Sequence, residues 1–438
     1  MHKEIPRSEH PRPDFMRDTF LNLNGPWQFG FDDGDAGLWE GWQRPGFRLP
    51  LEITVPFAYQ TKLSGIGPTD EVHPIIWYRR AFEVPAEMAG KRVLLHFGAV
   101  DYRCQVYVNG QMAGTHEGGY TPFYLDITHL LIDGENDLCL RVTDEPDFTR
   151  PRGKQYWDRG LMGCWYTPVS GIWQTVYLEA VGEYHLTQLH ITPDIDRHLF
   201  TAEIALDHLP VEGMALRLDV SFGGKSCRSV TATVSNRVSS VPVDLNVRGA
   251  LDTVRLWSPE HPDLYDVEIT LTKDGGVVDH VKTYFGMRKV EVKDGWVYLN
   301  NCPVYQRLVL DQGYWPDSNI TPPSDEAIRQ DIEYTKAFGY NGARKHQKLE
   351  DPRYYYWADR LGLLVWGEVP SPYDFTDETV KGVADTLARF IDRDFNHPCI
   401  ITWVPLNESW GVRQIYTDAR QQAAGRMLYH LTTARTGM

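Results

Sequence analysis

The sequence predicts a multidomain fold in which two all-β units precede an α/β unit. The chain has 438 residues, which corresponds to about two to four domains. Short strand patterns separated by turn signals fill residues 14–290, and strand and helix patterns alternate from residue 291 onward. We therefore predict domain bounds of 14–182, 183–290 and 291–438.

Residues 14–182 have the pattern of a jelly roll, a β-sandwich of short antiparallel strands. The dipeptide Asn109-Gly110 follows a strand-like run at 105–108 and favours a two-residue hairpin turn. Leu138, Leu140 and Val142 alternate with polar residues, as in a strand buried on one face. Further strands are predicted at 91–100 and 173–178.

Residues 183–290 predict an immunoglobulin-like β-sandwich, because about seven short strands in about a hundred residues is typical of that fold. A hairpin turn is expected at 273–276. Its strand patterns lie at 199–206, 215–222, 230–234, 265–271 and 277–285.

Residues 291–438 predict the N-terminal half of a (β/α)8 TIM barrel, because apolar strands alternate with helices four times. Ser324 and Thr376 are expected to cap helices, and the apolar stripe of the first helix is expected to include Ile328, Ile332 and Phe338. The predicted strands are 304–310, 341–346, 363–366 and 399–406, and a last helical pattern covers 415–432.

Composition excludes several classes of partner. The formal net charge of −15 argues against nucleic acid or an anionic membrane, because both favour basic surfaces. No apolar run is long enough for a membrane span, and the N-terminus lacks the apolar region of a secretion signal. Six scattered cysteines without a CxxC pair predict reduced thiols in a cytoplasmic protein. No spacing of His and Glu demands a metal, and we expect no cofactor.

Several motifs occur in a fixed order along the chain. They are Leu-Asn-Gly-Pro-Trp-Gln-Phe at 23–29, Gly-Gly-Tyr-Thr-Pro-Phe at 118–123, Gly-Ile-Trp-Gln at 171–174, Leu-Trp-Ser-Pro at 256–259, Arg-Asp-Phe-Asn-His-Pro at 393–398 and Asn-Glu at 407–408. In this order the motifs resemble glycoside hydrolase family 2, the β-galactosidase and β-glucuronidase group. The resemblance covers nearly the whole chain and implies a sugar-binding jelly roll, an immunoglobulin-like domain and a catalytic barrel.

Glu408 is the catalytic residue that this resemblance implies. Retaining glycosidases use two carboxyl groups about 5–5.5 Å apart, one as acid/base and one as nucleophile. Glu408 follows the fourth predicted barrel strand, and barrel active sites lie at the C-terminal ends of the strands. We therefore expect Glu408 to be the acid/base carboxylate rather than a surface residue of a loop. The resemblance places the nucleophile after a later strand, beyond residue 438, so we expect this chain to be inactive alone.

Three further candidates come from the second and fourth strands. The resemblance implies that Asn407 binds the sugar 2-hydroxyl; the alternative is an Asx turn. Arg344 is carried over as a sugar-pocket residue. The segment Arg344-Lys345-His346-Gln347 is one residue shorter than the family pattern and lacks its Pro, so substrate binding by His346 and a buried structural role are equally expected.

The first and third strands contribute candidates with open roles. Glu368 ends the third strand and either binds the sugar or a metal, or holds an Arg or a backbone group. Asp311 and Trp315 follow the first strand and either line the sugar pocket or pack in the core.

The implied function is exo-acting, retaining hydrolysis of terminal β-glycosides, β-galactosidase-like first and β-glucuronidase-like second. A non-catalytic carbohydrate-binding protein is the other alternative, although Asn407-Glu408 at a barrel strand end favours enzyme ancestry. A half barrel has two open strand edges and an exposed core face, so we also expect insolubility or homo-oligomers unless a partner covers them.

Overall fold

A computed structural model describes residues 5–246, 254–374, 376–408 and 419–436. It confirms the predicted class, two β-sandwich units followed by parallel strand–helix units. No helix within these described ranges is long and apolar enough to cross a membrane.

The first unit packs a four-stranded and a six-stranded sheet around a core that includes the fully buried Trp27, Phe29 and Tyr78. Its elements are β1 (Phe20–Asn22), β2 (Gly25–Phe31), α1 (Gly37–Glu40), β3 (Leu51–Val55), β4 (Ile75–Glu83), β5 (Arg92–Phe97), β6 (Val100–Asp101), β7 (Arg103–Val108), β8 (Gln111–Glu117), β9 (Phe123–Asp126), β10 (Glu135–Thr143), β11 (Gly171–Ile172) and β12 (Val176–Val181). The strand orders are β1-β12-β5-β9 and β3-β2-β4-β10-β7-β8, with β11 paired to β6.

The predicted hairpin at Asn109-Gly110 is confirmed. Both residues have positive φ, 51° and 77°, which is the backbone that a type I′ turn requires and that this dipeptide adopts readily. The strand predicted from Trp173 begins only at Val176. Trp173 instead buries its ring and donates its indole N–H to the carbonyl of Gly119 at 2.7 Å.

The second unit is a sandwich of seven described strands around Phe200, Leu218 and Ile269, all fully buried. The strands are β13 (Leu186–Asp194), β14 (Leu199–Leu206), β15 (Met214–Phe222), β16 (Lys225–Thr233), β17 (Val238–Asp244), β18 (Tyr265–Lys273) and β19 (Gly276–Phe285). They form sheets of order β13-β14-β17 and β16-β15-β18-β19, and the predicted turn at 273–276 joins β18 to β19.

The third unit begins with a small antiparallel sheet that the sequence patterns did not predict, and continues as a parallel sheet of order β23-β24-β25-β26. Its elements are β20 (Val290–Lys293), β21 (Trp296–Leu299), β22 (Cys302–Pro303), β23 (Leu308–Asp311), α2 (Asp325–Ala337), β24 (Gly342–Lys345), α3 (Pro352–Leu361), β25 (Leu364–Glu368), α4 (Asp377–Asp394), β26 (Ile400–Val404) and α5 (Ala419–Thr436). Residues 415–418 of the predicted last helix lie outside the described residues.

Two predictions about the third unit are wrong in detail. The strand expected at 304–310 covers only Leu308–Asp311, and Leu310 is 53% exposed rather than buried. Leu310 pairs in register with Arg344, on the face of the sheet that points away from the helices and is partly open in the described part of the chain. Phe338 is 82% exposed because it caps the end of α2, beyond the last turn of its apolar stripe.

The N-terminal strap, defined as residues 5–18, joins all three units. Arg17 donates to Asp279 of the second unit and to Glu179 of the first, each at 2.8 Å. Arg7 pairs with Asp351 of the third unit at 3.0 Å. Because these guanidinium groups are buried and paired with carboxylates, the strap fixes the units against one another.

Candidate active site

Three polar side chains meet at the C-terminal rim of the parallel sheet. Arg344 lies near the end of β24, Glu368 ends β25, and Asn407 follows β26. The Arg344 guanidinium donates through Nε to Glu368 Oε2 and through Nη2 to Asn407 Oδ1, each at 2.6 Å. Parallel strands end at the same rim, which is why residues far apart in sequence converge here. Arg344 therefore orients the Asn407 side chain.

Glu368 is fully buried and both of its oxygens face protein groups. Oε1 accepts the backbone N–H of Gln347 at 2.9 Å and lies 3.0 Å from His346 Nδ1, while Oε2 accepts from Arg344. His346 Nδ1 and Glu368 Oε1 are within ion-pair distance but lack hydrogen-bond geometry, so the N–H donors of Arg344 and Gln347 are what hold the carboxylate. These contacts favour a positioning role for Glu368, and they place the buried His346 beside it.

Glu408 occupies a different environment from its neighbour. Asn407 is buried, whereas Glu408 is exposed and has a φ of 39°, a left-handed backbone conformation that is uncommon for residues other than glycine. Such conformations cost roughly 1–3 kcal/mol and cluster at functional sites. The turn after β26 therefore buries the amide and presents the carboxylate to solvent at the rim.

Asp311 lies on the opposite face of the sheet from Leu310 and contacts Lys345 at 2.6 Å. Lys345 also pairs with Glu350 at 2.8 Å, and both are buried. Burial alone would lower the pKa of the Lys345 ammonium, but Asp311 and Glu350 raise it well above its usual range. This ion network packs under the rim, so the contacts of Asp311 match the packing alternative.

Trp315 is half-buried, and its backbone forms a bridge with Asn319. The structure thus brings together four of the candidates, Arg344, His346, Glu368 and Asn407, with Glu408 next in the chain.

Aromatic residues of the first unit contact the loops that follow β23 and β25, and the sequence patterns did not identify them. They lie in the connection 144–170 between β10 and β11, which carries Tyr156, Trp157, Trp165 and Tyr166. Connections longer than about 12–15 residues without secondary structure are uncommon and often functional, and this length was the available signal. No group of three or more potential metal ligands occurs among the described side chains.

A carboxylate that follows a strand of a parallel barrel sheet lies where barrel active sites are found, and glycoside hydrolysis uses carboxylates as acid/base groups. Comparison with protein families is specific on this point. Three sequence models of one family match in succession: glycosyl hydrolases family 2, sugar binding domain, at residues 20–179; glycosyl hydrolases family 2 at 184–288; and glycosyl hydrolases family 2, TIM barrel domain, at 290–433. The chain belongs to glycosyl hydrolases family 2.

Individual relatives agree with this membership. The chain is 28% identical to a β-galactosidase of Thermoanaerobacter pseudethanolicus over 92% of its own length and 54% of that protein. It is 30% identical to a putative β-glucuronidase of Formosa agariphila over 76% of its length and 40% of that protein. The chain thus spans about half the length of these relatives.

The fold also matches solved structures. A β-glucuronidase from Ruminococcus gnavus, in complex with D-glucuronic acid, superposes with a TM-score of 0.81 over 99% of this chain and 73% of that chain. The sequence identity is 21%, so this likeness concerns the fold.

Proposed function

We propose that this chain provides the acid/base side of a retaining β-glycosidase, with Glu408 as the acid/base carboxylate. The observation that carries the proposal is the rim geometry: Arg344 holds Asn407 at 2.6 Å while the next residue presents its carboxylate to solvent. In such a reaction the acid protonates the glycosidic oxygen as the bond to the anomeric carbon breaks, and the same carboxylate then activates water. Asn407 is proposed to bind the sugar 2-hydroxyl.

A retaining glycosidase needs a second carboxylate as its nucleophile. A nucleophile must have a free oxygen facing the anomeric carbon. Both oxygens of Glu368 face protein groups, and Asp311 is held by Lys345. We therefore expect neither to attack the sugar, and we propose that the 438-residue chain alone has no useful turnover.

The proposed substrate is a terminal β-galactoside, with a β-glucuronide as the second candidate. The two relatives described above are named for β-galactosidase and β-glucuronidase activity, and they support these sugars in turn. Binding at the rim, rather than on the jelly roll alone, is what separates either activity from the carbohydrate-binding alternative.

The acid/base role is tested by calorimetric binding to the full chain. A cationic imino sugar of galacto configuration should bind about tenfold more weakly to Glu408→Gln, because a charge-assisted contact is lost. Neutral methyl β-galactoside should bind this variant as it binds the native chain. Equal affinity of the imino sugar for both chains would contradict the role of Glu408.

The sugar contact and the lack of turnover are tested separately. Asn407→Ala should weaken methyl β-galactoside binding about fivefold, for the loss of one neutral hydrogen bond. The exposed Asn246→Ala serves as the matched control. The proposed inactivity would be refuted if the native chain released 4-nitrophenol from an aryl β-galactoside and Glu408→Gln abolished that release. Tighter binding of methyl β-glucuronide than of methyl β-galactoside would favour a β-glucuronide as the substrate.

A further inference from the structure

The connection 144–170 is anchored on the barrel rim at several points. The backbone N–H of Gly153 donates to Ser371 O at 3.0 Å, and the hydroxyl of Tyr373 donates to Gly153 O at 2.5 Å. Further along, Tyr166 stacks on Tyr314 with ring centroids 3.8 Å apart. A segment of the first unit is therefore held against the loops that follow β23 and β25.

Between these anchors stands an aromatic wall, defined as Trp157, Trp165 and Tyr373. The centroid of Trp157 lies 5.0 Å from that of Trp165 and 4.8 Å from that of Tyr373, and Trp165 lies 5.6 Å from Tyr373. Tyr373 is fully buried, whereas both indoles are only half-buried. The phenol thus supports two indoles that keep apolar surface open to solvent.

The aromatic wall and Glu408 are reached from neighbouring strands of the parallel sheet. Tyr373 follows β25 in a loop whose first residue, Val369, donates its N–H to Val404 O at 3.1 Å, at the end of the strand that leads to Glu408. Burial is the main cause that raises the pKa of the Tyr373 phenol, and the charges of Cys164 and Glu408 raise it further. The wall and the carboxylate therefore follow neighbouring strands at the same end of the sheet.

An acid/base carboxylate must touch the glycosidic oxygen, which joins the sugar to its leaving group. Side chains next to the acid are consequently placed to contact the leaving group. Exposed aromatic faces bind flat apolar surfaces, such as an aryl ring or the C–H face of a pyranose.

We propose that Trp157 and Trp165 form the binding site for the leaving group and select glycosides whose leaving group has a flat apolar face. This inference rests on the proposed function, because it takes Glu408 as the acid/base. It assigns the choice of leaving group to the first unit rather than to the barrel.

Calorimetry on the full chain tests this site with three ligands: methyl β-galactoside, phenyl β-galactoside and lactose, whose leaving group is glucose. The native chain should bind the phenyl compound or lactose about tenfold more tightly than the methyl compound. Trp157→Ala and Trp165→Ala should each remove most of this preference while leaving the affinity for the methyl compound unchanged. Trp157→Phe should retain part of it, and Trp39→Ala, whose side chain is 91% exposed on the first unit, is the matched control.

The possible outcomes test the leaving-group site and the acid/base role of Glu408 separately. A preference lost in the alanine variants supports the site, and the compound that shows it tells whether an aryl ring or a second sugar is the natural partner. Methyl β-galactoside binding without any such preference, or with a preference that survives both alanine variants, overturns the leaving-group site and leaves the role of Glu408 standing. Absence of binding for all three ligands overturns both.

Discussion

Replacing Glu368 by alanine should destabilise the third unit substantially. The carboxylate is fully buried and accepts from Arg344 and from the backbone N–H of Gln347. Loss of a charge-assisted hydrogen bond costs about 1.5–3 kcal/mol, and a buried N–H left without a partner costs about 1–3 kcal/mol. Arg344 retains some access to water, which offsets part of this cost. We therefore expect a loss of about 3 kcal/mol.

The assay is thermal and urea-induced unfolding of the full chain, followed by near-ultraviolet circular dichroism. For a unit of this size about 3 kcal/mol corresponds to a fall of roughly 6–12 °C in the unfolding midpoint. Glu333→Ala is the matched control, because Glu333 forms an exposed pair with Arg329 that contributes only about 0.3–0.5 kcal/mol. A loss in Glu368→Ala no larger than that of the control would refute the account of Glu368 as the group that holds Arg344.

Three further predictions concern stability. Burial would raise the pKa of Glu350, but Lys345 and Lys348 lower it from 4.5 to about 2. This carboxylate should therefore contribute about 3 kcal/mol of stability above pH 4.5, which is lost as the pH falls towards 2. Glu350→Gln should flatten the acid limb of the unfolding free energy measured against pH, and an unchanged limb would contradict this. Burial would lower the pKa of His397, but Asp359 at 2.6 Å raises it above 6.5. The stability that this pair contributes is present below pH 6.5 and is lost as the pH rises through the folded-state pKa. The same titration of Asp359→Asn should lack this loss, and a loss that persists in the variant would point to another group. Ser324→Ala should lower the free energy of urea unfolding by about 1 kcal/mol, because the Ser324 hydroxyl caps α2. Ser324→Thr should retain most of that free energy. Equal losses in both variants would exclude the cap as the cause.

Local chemistry explains why much of the fold could be predicted. Asn109-Gly110 predicted its hairpin because the turn needs two residues that tolerate positive φ, and Ser324 and Thr376 predicted helix starts because their hydroxyls accept backbone N–H groups. Burial depends on neighbours distant in sequence, and apolar character alone misplaced Leu310 and Phe338.

The candidate site was predictable to the level of strand ends. The sequence placed Arg344, Glu368 and Asn407 at or after the ends of parallel strands, and because such ends share a rim, the structure brings the three together. Side-chain direction was not predictable, because a strand shifted by one residue reverses its faces; Asp311 therefore points to Lys345 instead. Trp157 could not be placed from local pattern, since its neighbour Tyr373 is brought to it only by the packing of two domains.

The N-terminal strap imposes an order on the assembly of the three units. It emerges from the ribosome before any of the partners that hold it, and Arg17 meets Asp279 across 262 residues of sequence while Arg7 meets Pro322 across 315. Domains generally fold as they are made, from the N-terminus onward, so the contacts of Arg7 with the third unit must wait until the first two units have formed. The Arg7 end of the strap therefore docks after the Arg17 end, whose partners lie in the first two units, and its docking completes the joining of the third unit.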